Sequence, residues 1–180
     1  NAIKELRAKY DIPFIGIEPA IKPAAIQSKT NCIGILATKG TLNSELFHKS
    51  VTNHPDVKII EQIGHGLVQL IENGDINSPE MIELLESYLL PMVEKNIDYL
   101  VLGCSHYPYL IPQIKKIIPS NIKIIDSGEA VAKQTKRILE ENNILNNSIE
   151  IATQTFYTNS DPTVLENILK NKDIVFYKNF

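Results

Sequence analysis

The chain has 180 residues, 43% of them hydrophobic and 22% charged, with a formal net charge of −3 and two cysteines. That is core enough for one domain or two small ones, and it shows no basic stripe for nucleic acid and no run of like charges. Charges interrupt every apolar stretch that could span a membrane, no secretory leader is expected, and two cysteines outside any CxxC or Cys/His cluster suit reduced thiols in a cytoplasm rather than a disulfide framework or a zinc site.

The elements follow in chain order. The opening NAIKELRAKYDIP reads as the second half of a helix covering residues 3–10 and closed by Asp11 and Pro13, so first residues are expected to be missing. Phe14–Ile17 is a short apolar strand candidate ended by Glu18-Pro19, and Ile21–Gln27 a short helix. Cys32–Ala37 is a buried strand, and Thr41–Asn53 one helix with Leu42, Leu46, Phe47 and Val51 on one face. Val57–Ile60 is a third strand. Helices are expected over Gly66–Asn73 and Ser78–Asn96, the latter opened by Ser78 as N-cap and Pro79 at the first helical position. Tyr99–Gly103 is an unbroken apolar strand, Pro108–Ile118 a helix, Ile122–Asp126 a strand and Glu129–Asn142 a long amphipathic helix. Ile149–Tyr157 and Ile174–Tyr177 read as strands around a helix from Pro162 to Leu169. Short, unalternating apolar strands that alternate with helices specify an α/β fold with a mainly parallel sheet covered on both faces.

The stretch LVLGCSHYPYL, from Leu100 to Leu110, carries the chemistry. Ligands of open α/β sheets sit beyond the carboxyl ends of strands, where Cys104 falls. A helix starting near Pro108 would aim free N–H groups at Ser105 and His106, hold a carboxylate and lower a thiol pKa. With His106 as proton partner, Cys104 suits acid–base or nucleophilic work. A free cysteine is more often a small buried hydrophobe, and Cys32, inside an apolar strand, is read as core. His48, His54 and His65 read as helix-face or loop residues. Glu72, near a helix end, reads as solvated, and Thr38 and Thr41 as helix caps, with Thr41 a plausible N-cap.

GCSHYPYL resembles the GCTHYP(L)L signature of glutamate racemases, with Ser105 in place of threonine. GIEPAIKPA (16–24), ILATKGTLNS (35–44), LVQLIE (67–72), DSGEA (126–130) and FYTNSDP (156–162) resemble further segments of that family, in its order. The resemblance implies two similar α/β domains with mainly parallel sheets flanked by helices. The first would be incomplete and built from residues 1–17 and 127–180; the second would span 18–126 and carry Cys104. It implies interconversion of L- and D-glutamate without cofactor or metal, one cysteine on each face of the α-carbon, and D-glutamate supplied to peptidoglycan. Cys104 resembles the cysteine that deprotonates L-glutamate, and His106 and Glu72 the side chains that assist it. Ser105, His106, Thr38 and Thr41 resemble substrate-binding positions. The family's early DSG and CNT segments have no counterpart here, so its first catalytic cysteine is expected just upstream of Asn1, and Cys32 does not replace it. Glutamate is the implied partner, with neither nucleic acid nor membrane, and a homodimer is compatible with the family. Rival readings are an aspartate or other amino-acid racemase, against which the histidine two positions after Cys104 argues, a non-catalytic binding protein that kept the fold, and a thiol hydrolase.

Overall fold

The computed structural model describes residues 2–169 and 174–180; Asn1 and the Lys/Asn-rich stretch 170–173 lie outside the described residues. Nine α-helices and six strands are described: α1 (Ile3–Lys9), α2 (Ile21–Gln27), β1 (Cys32–Ala37), α3 (Lys39–Leu42), α4 (Glu45–Thr52), β2 (Lys58–Ile63), α5 (Leu67–Glu72), α6 (Pro79–Glu94), β3 (Tyr99–Gly103), α7 (Ile111–Ile117), β4 (Lys123–Ile125), α8 (Gly128–Glu141), β5 (Phe156–Thr158), α9 (Pro162–Leu169) and β6 (Val175–Tyr177). A 3-10 turn, Tyr107–Leu110, leads into α7.

Four strands form a parallel sheet in the order β2-β1-β3-β4. The apolar runs CIGILA and YLVLG occupy its two central places, where every residue of β1 and β3 is buried. Their side chains alternate between two cores. Leu36, Leu100 and Leu102 face α5, α6 and α7 through Leu67, Leu85 and Ile114. Ile33, Ile35, Ala37 and Val101 face α2 and α4 through Ile21, Ala24 and Phe47. Each fully buried Leu, Ile or Phe stabilises by about 1.5–3 kcal/mol before ordering costs. That accounts for unalternating strands, since a sheet covered on both faces needs apolar residues at successive positions. A smaller parallel pair, β5-β6, involves three residues from each strand.

Several expectations are corrected. Phe14–Ile17 has no regular secondary structure and pairs with no strand among the described residues; it lies between Pro13 and Pro19, and the Arg7 guanidinium donates to the Phe14 carbonyl at 2.7 Å. Thr41–Asn53 is two helices rather than one, because Ser44 caps a new start by accepting from the Phe47 N–H at 3.2 Å. Thr38, not Thr41, caps the first of these, accepting from the Thr41 N–H at 3.2 Å. Of the proposed apolar face, Leu42 and Phe47 are buried, whereas Leu46 is exposed. The strand expected over Ile149–Tyr157 shrinks to β5; Ile149 and Ile151 are fully exposed. Ser78 caps α6 as expected, accepting from the Met81 N–H at 3.1 Å.

Candidate active site

The order β2-β1-β3-β4 makes β1 and β3 leave the sheet on opposite sides, which opens a crevice beyond their carboxyl ends. Ala37 and Gly103 pair in register at its floor. A Cβ on Gly103 would lie 2.7 Å from the Ala37 Cβ, so glycine is what lets the two strand ends close. The next residue of each strand, Thr38 and Cys104, lines a cleft of about 740 Å³. Thr41, Ser105 and the Glu18–Pro19 segment line it too, with Asp126 and Ser127 at the end of β4.

Cys104 is half-buried. Its Sγ lies 3.9 Å from His106 Nδ1, and the other ring nitrogen, Nε2, lies 3.2 Å from Glu72 Oε1. Ser105 Oγ stands 3.4 Å from the same Nδ1. The ring thus has thiol and hydroxyl on one nitrogen and a carboxylate on the other. With His and Glu side chains 33% and 48% exposed, the pair adds little stability, and its value is orientation. Thr38 and Thr41 share a hydroxyl–hydroxyl bond of 3.0 Å on the β1 side of the cleft.

Two expectations about this site change. The segment after Cys104 enters a 3-10 turn, and α7 starts only at Ile111. The anticipated lowering of the thiol pKa does not result: burial pushes Cys104 above its ordinary value, and bonds from the His106 and Tyr107 N–H groups only partly oppose this. Cys104, His106 and Glu72 form one linked set, yet they do not share one cleft. Glu72 stands behind His106 and lines a second cavity of about 880 Å³ together with Gln113, Asp161 and Thr163. Pro108 borders both cavities.

Cys32 is remote from this chemistry. It starts β1, is buried, and its thiol donates to the Lys95 carbonyl at 3.3 Å. Five strand steps of about 3.3 Å put it on the order of 17 Å from the cleft floor. Ser44, Asp126 and Ser127 also line the cleft, with no site role expected of them from sequence. Asp126 was open to the same strand-end rule that singled out Cys104. Ser127 is a buried polar residue whose hydroxyl donates to the Glu18 carbonyl, tying the start of α8 to the cleft wall. Among the described residues, no group of three His, Cys, Asp or Glu side chains could hold a metal.

The family model for Asp/Glu/Hydantoin racemases matches residues 1–135. The chain belongs to the Asp/Glu/Hydantoin racemase family. A glutamate racemase of Pseudomonas entomophila is 42% identical over 169 residues, which is 93% of this chain and 63% of that protein. One from Ralstonia pickettii is 43% identical over 167 residues, 92% of this chain and 59% of that protein. The chain therefore spans under two thirds of the length of these curated relatives. Among solved structures of the family, glutamate racemase RacE1 from Bacillus anthracis superposes with a TM-score of 0.83 at 27% identity, over 99% of this chain and 69% of that one. Escherichia coli glutamate racemase, solved with L-glutamate and the activator UDP-MurNAc-Ala, gives a TM-score of 0.80 at 26% identity, over 98% and 68%.

Proposed function

We propose that the protein containing this chain interconverts L- and D-glutamate without a cofactor, and that Cys104 is the acid–base group on one face of the α-carbon. The observation that carries this is the Cys104–His106–Glu72 chain of contacts, which starts from Cys104 in the lining of the switch-point cleft. Relatives named glutamate racemase, matched over 93% of the chain, support glutamate as substrate.

The α-proton of an amino acid is weakly acidic, so its removal needs a base held against it, and its return on the other face needs an acid. At rest, burial keeps Cys104 as the thiol, ready to donate. To act as base it must become thiolate, and the His106 and Tyr107 N–H groups favour that form, while the His106 imidazole, oriented by Glu72, stands beside Sγ as a proton partner. Glu72 thus works through His106 as a positioning and charge-balancing residue, outside contact with substrate. Thr38, Thr41 and Ser105 offer hydroxyls on both sides of the cleft that suit the two carboxylates of glutamate. Opposite-face chemistry needs a second group. Cys32 does not fill that role from the far end of the sheet; a thiol outside residues 1–180 does.

In this reading residues 18–126 form one domain, and residues 1–17 with 127–180 contribute to the other. The protein works in the cytoplasm as a homodimer and feeds peptidoglycan synthesis. No helix among the described residues is long and apolar enough to cross a membrane. The test is deuterium exchange from solvent into the α-position of L- and D-glutamate by the whole gene product. Exchange with racemisation is expected, whereas residues 1–180 alone should not racemise. A whole protein that binds glutamate yet exchanges neither enantiomer would favour the binding-protein reading.

A further inference from the structure

Tyr107 follows His106 directly, yet it is fully buried while its neighbour is partly exposed. Its hydroxyl crosses to the loop after β2 and donates to the Gly64 carbonyl at 3.1 Å. The fit is close: a Cβ on Gly64 would stand 2.4 Å from that hydroxyl oxygen, so only glycine admits the contact. On the outer side of the same loop, the Tyr88 hydroxyl of α6 donates to the His65 carbonyl at 3.0 Å. Two tyrosines thus hold residues 64–65, and two residues later α5 begins, the short helix whose last residue is Glu72. Glu72 itself is exposed, and its contact to His106 is a single 3.2 Å approach between partly exposed side chains. Such a pair does not set its own distance; the backbones that carry it do.

We infer that Tyr107 is a positioning residue, whose bond to the Gly64 carbonyl holds α5 at the spacing that keeps Glu72 on His106 and the imidazole oriented beside Cys104. The inference rests on the acid–base role proposed above for Cys104. A plain core tyrosine would affect folding alone. This one also affects a single half-reaction, because only the proton transfer at Cys104 depends on the His106–Glu72 pair.

That asymmetry is measurable. The equilibrium constant of a racemisation is one, so a variant's kcat/KM falls equally in both directions. The primary isotope effect does not follow this constraint. Slowing proton removal by Cys104 raises the isotope effect for the α-deuterated enantiomer that Cys104 deprotonates, L-glutamate by family resemblance, and lowers it for the other. In the whole gene product, Tyr107→Phe keeps the ring in the core and removes only the hydroxyl. It should lower kcat/KM about tenfold, less than the roughly 10²–10⁴ that a general acid–base group itself contributes, because Tyr107 acts through two other residues. It should move the two isotope effects in opposite directions, and add nothing to them once Glu72→Gln is present. Wild-type isotope effects in Tyr107→Phe, or changes that add fully to those of Glu72→Gln, would overturn the inference. If Tyr107→Phe does not fold, Tyr88→Phe loosens the same loop from the surface and should shift the same isotope effects less; no shift overturns it equally. Cys104→Ala separates the layers. Continued α-exchange of L-glutamate in that variant refutes the proposed role of the cysteine, whereas a dead Cys104→Ala beside an unaltered Tyr107→Phe refutes Tyr107 alone.

Discussion

At the amino end of the β1–β3 pair, Asp98 accepts from the Ser28 hydroxyl at 2.7 Å and from the Lys29 and Thr30 N–H groups, and the Cys32 thiol donates to a backbone carbonyl. At the carboxyl end, six residues after Asp98, Cys104 lines a cleft, and its Sγ lies 3.9 Å from an imidazole nitrogen. Both ends hold a thiol and an acidic group nearby. At one end the acidic group's bonds close on a hydroxyl and two backbone N–H groups of the protein itself, so they hold the fold. At the other, Cys104 and Ser105 line an open cleft, where the proposed substrate would meet them. Residue type does not separate the two cysteines; their place along the strand does.

The sharpest way to break this contrast is to remove each thiol in the whole gene product. Cys104→Ala should cut racemisation by about 10³-fold, as for other acid–base groups, with an unchanged melting curve. Cys32→Ala should leave turnover within about twofold and cost about 1 kcal/mol, as the loss of a small buried group does. Equal losses from both would end the distinction. Next in size, Glu72→Gln should lower turnover about tenfold to a hundredfold, less than loss of the thiol because it acts through His106. A smaller effect appears in alkylation by iodoacetamide. Burial raises the Cys104 pKa, so the labelling rate should climb to a midpoint above the ordinary 9.0, while buried Cys32 reacts only on unfolding. Labelling of Cys32 at the same rate would contradict its enclosure.

The smallest effect concerns the amino end. Burial pushes the Asp98 carboxyl up, but the bonds from Ser28, Lys29 and Thr30 outweigh it and hold its pKa below the ordinary 3.8. The carboxylate therefore contributes stability above the unfolded aspartate pKa, and that contribution is lost as pH falls through the lowered value. Asp98→Ala should cost about 1–2 kcal/mol at neutral pH, discounted for partial exposure, and should flatten the acid limb of the stability profile without touching kcat. Denaturant titrations from neutral to acid pH would check both.

Much of the sheet was legible because its central strands sit between two cores. CIGILA and YLVLG are apolar at every position, and both have the expected bounds. FIGI looked the same over four residues and is no strand, since no neighbouring strand lies beside it among the described residues, and apolar content alone does not supply a pairing partner. The break at Asn43-Ser44 was missed because helical periodicity runs on through it, although serine followed by glutamate is itself a start signal. In the site, Cys104 was readable from strand-end placement and His106 from adjacency. Glu72 was readable only through a family resemblance, because it lies 34 positions before His106 and only the fold joins them. The Tyr107–Gly64 bond spans 43 residues and leaves no local mark.

The strand order β2-β1-β3-β4 also bears on how the chain is made. β1 lies in the middle of its sheet but emerges from the ribosome first. β2 can cover one of its edges early. The other edge waits for β3, roughly 60 residues later, which is several seconds of synthesis at about 5–20 residues per second. During that interval CIGILA presents an apolar strand without charge or proline and with an open row of amides, the kind of segment that recruits a second nascent chain. Slower translation through the α6 segment should therefore lower the yield of soluble protein, and trigger-type holdases should matter most between the synthesis of Ala37 and that of Gly103.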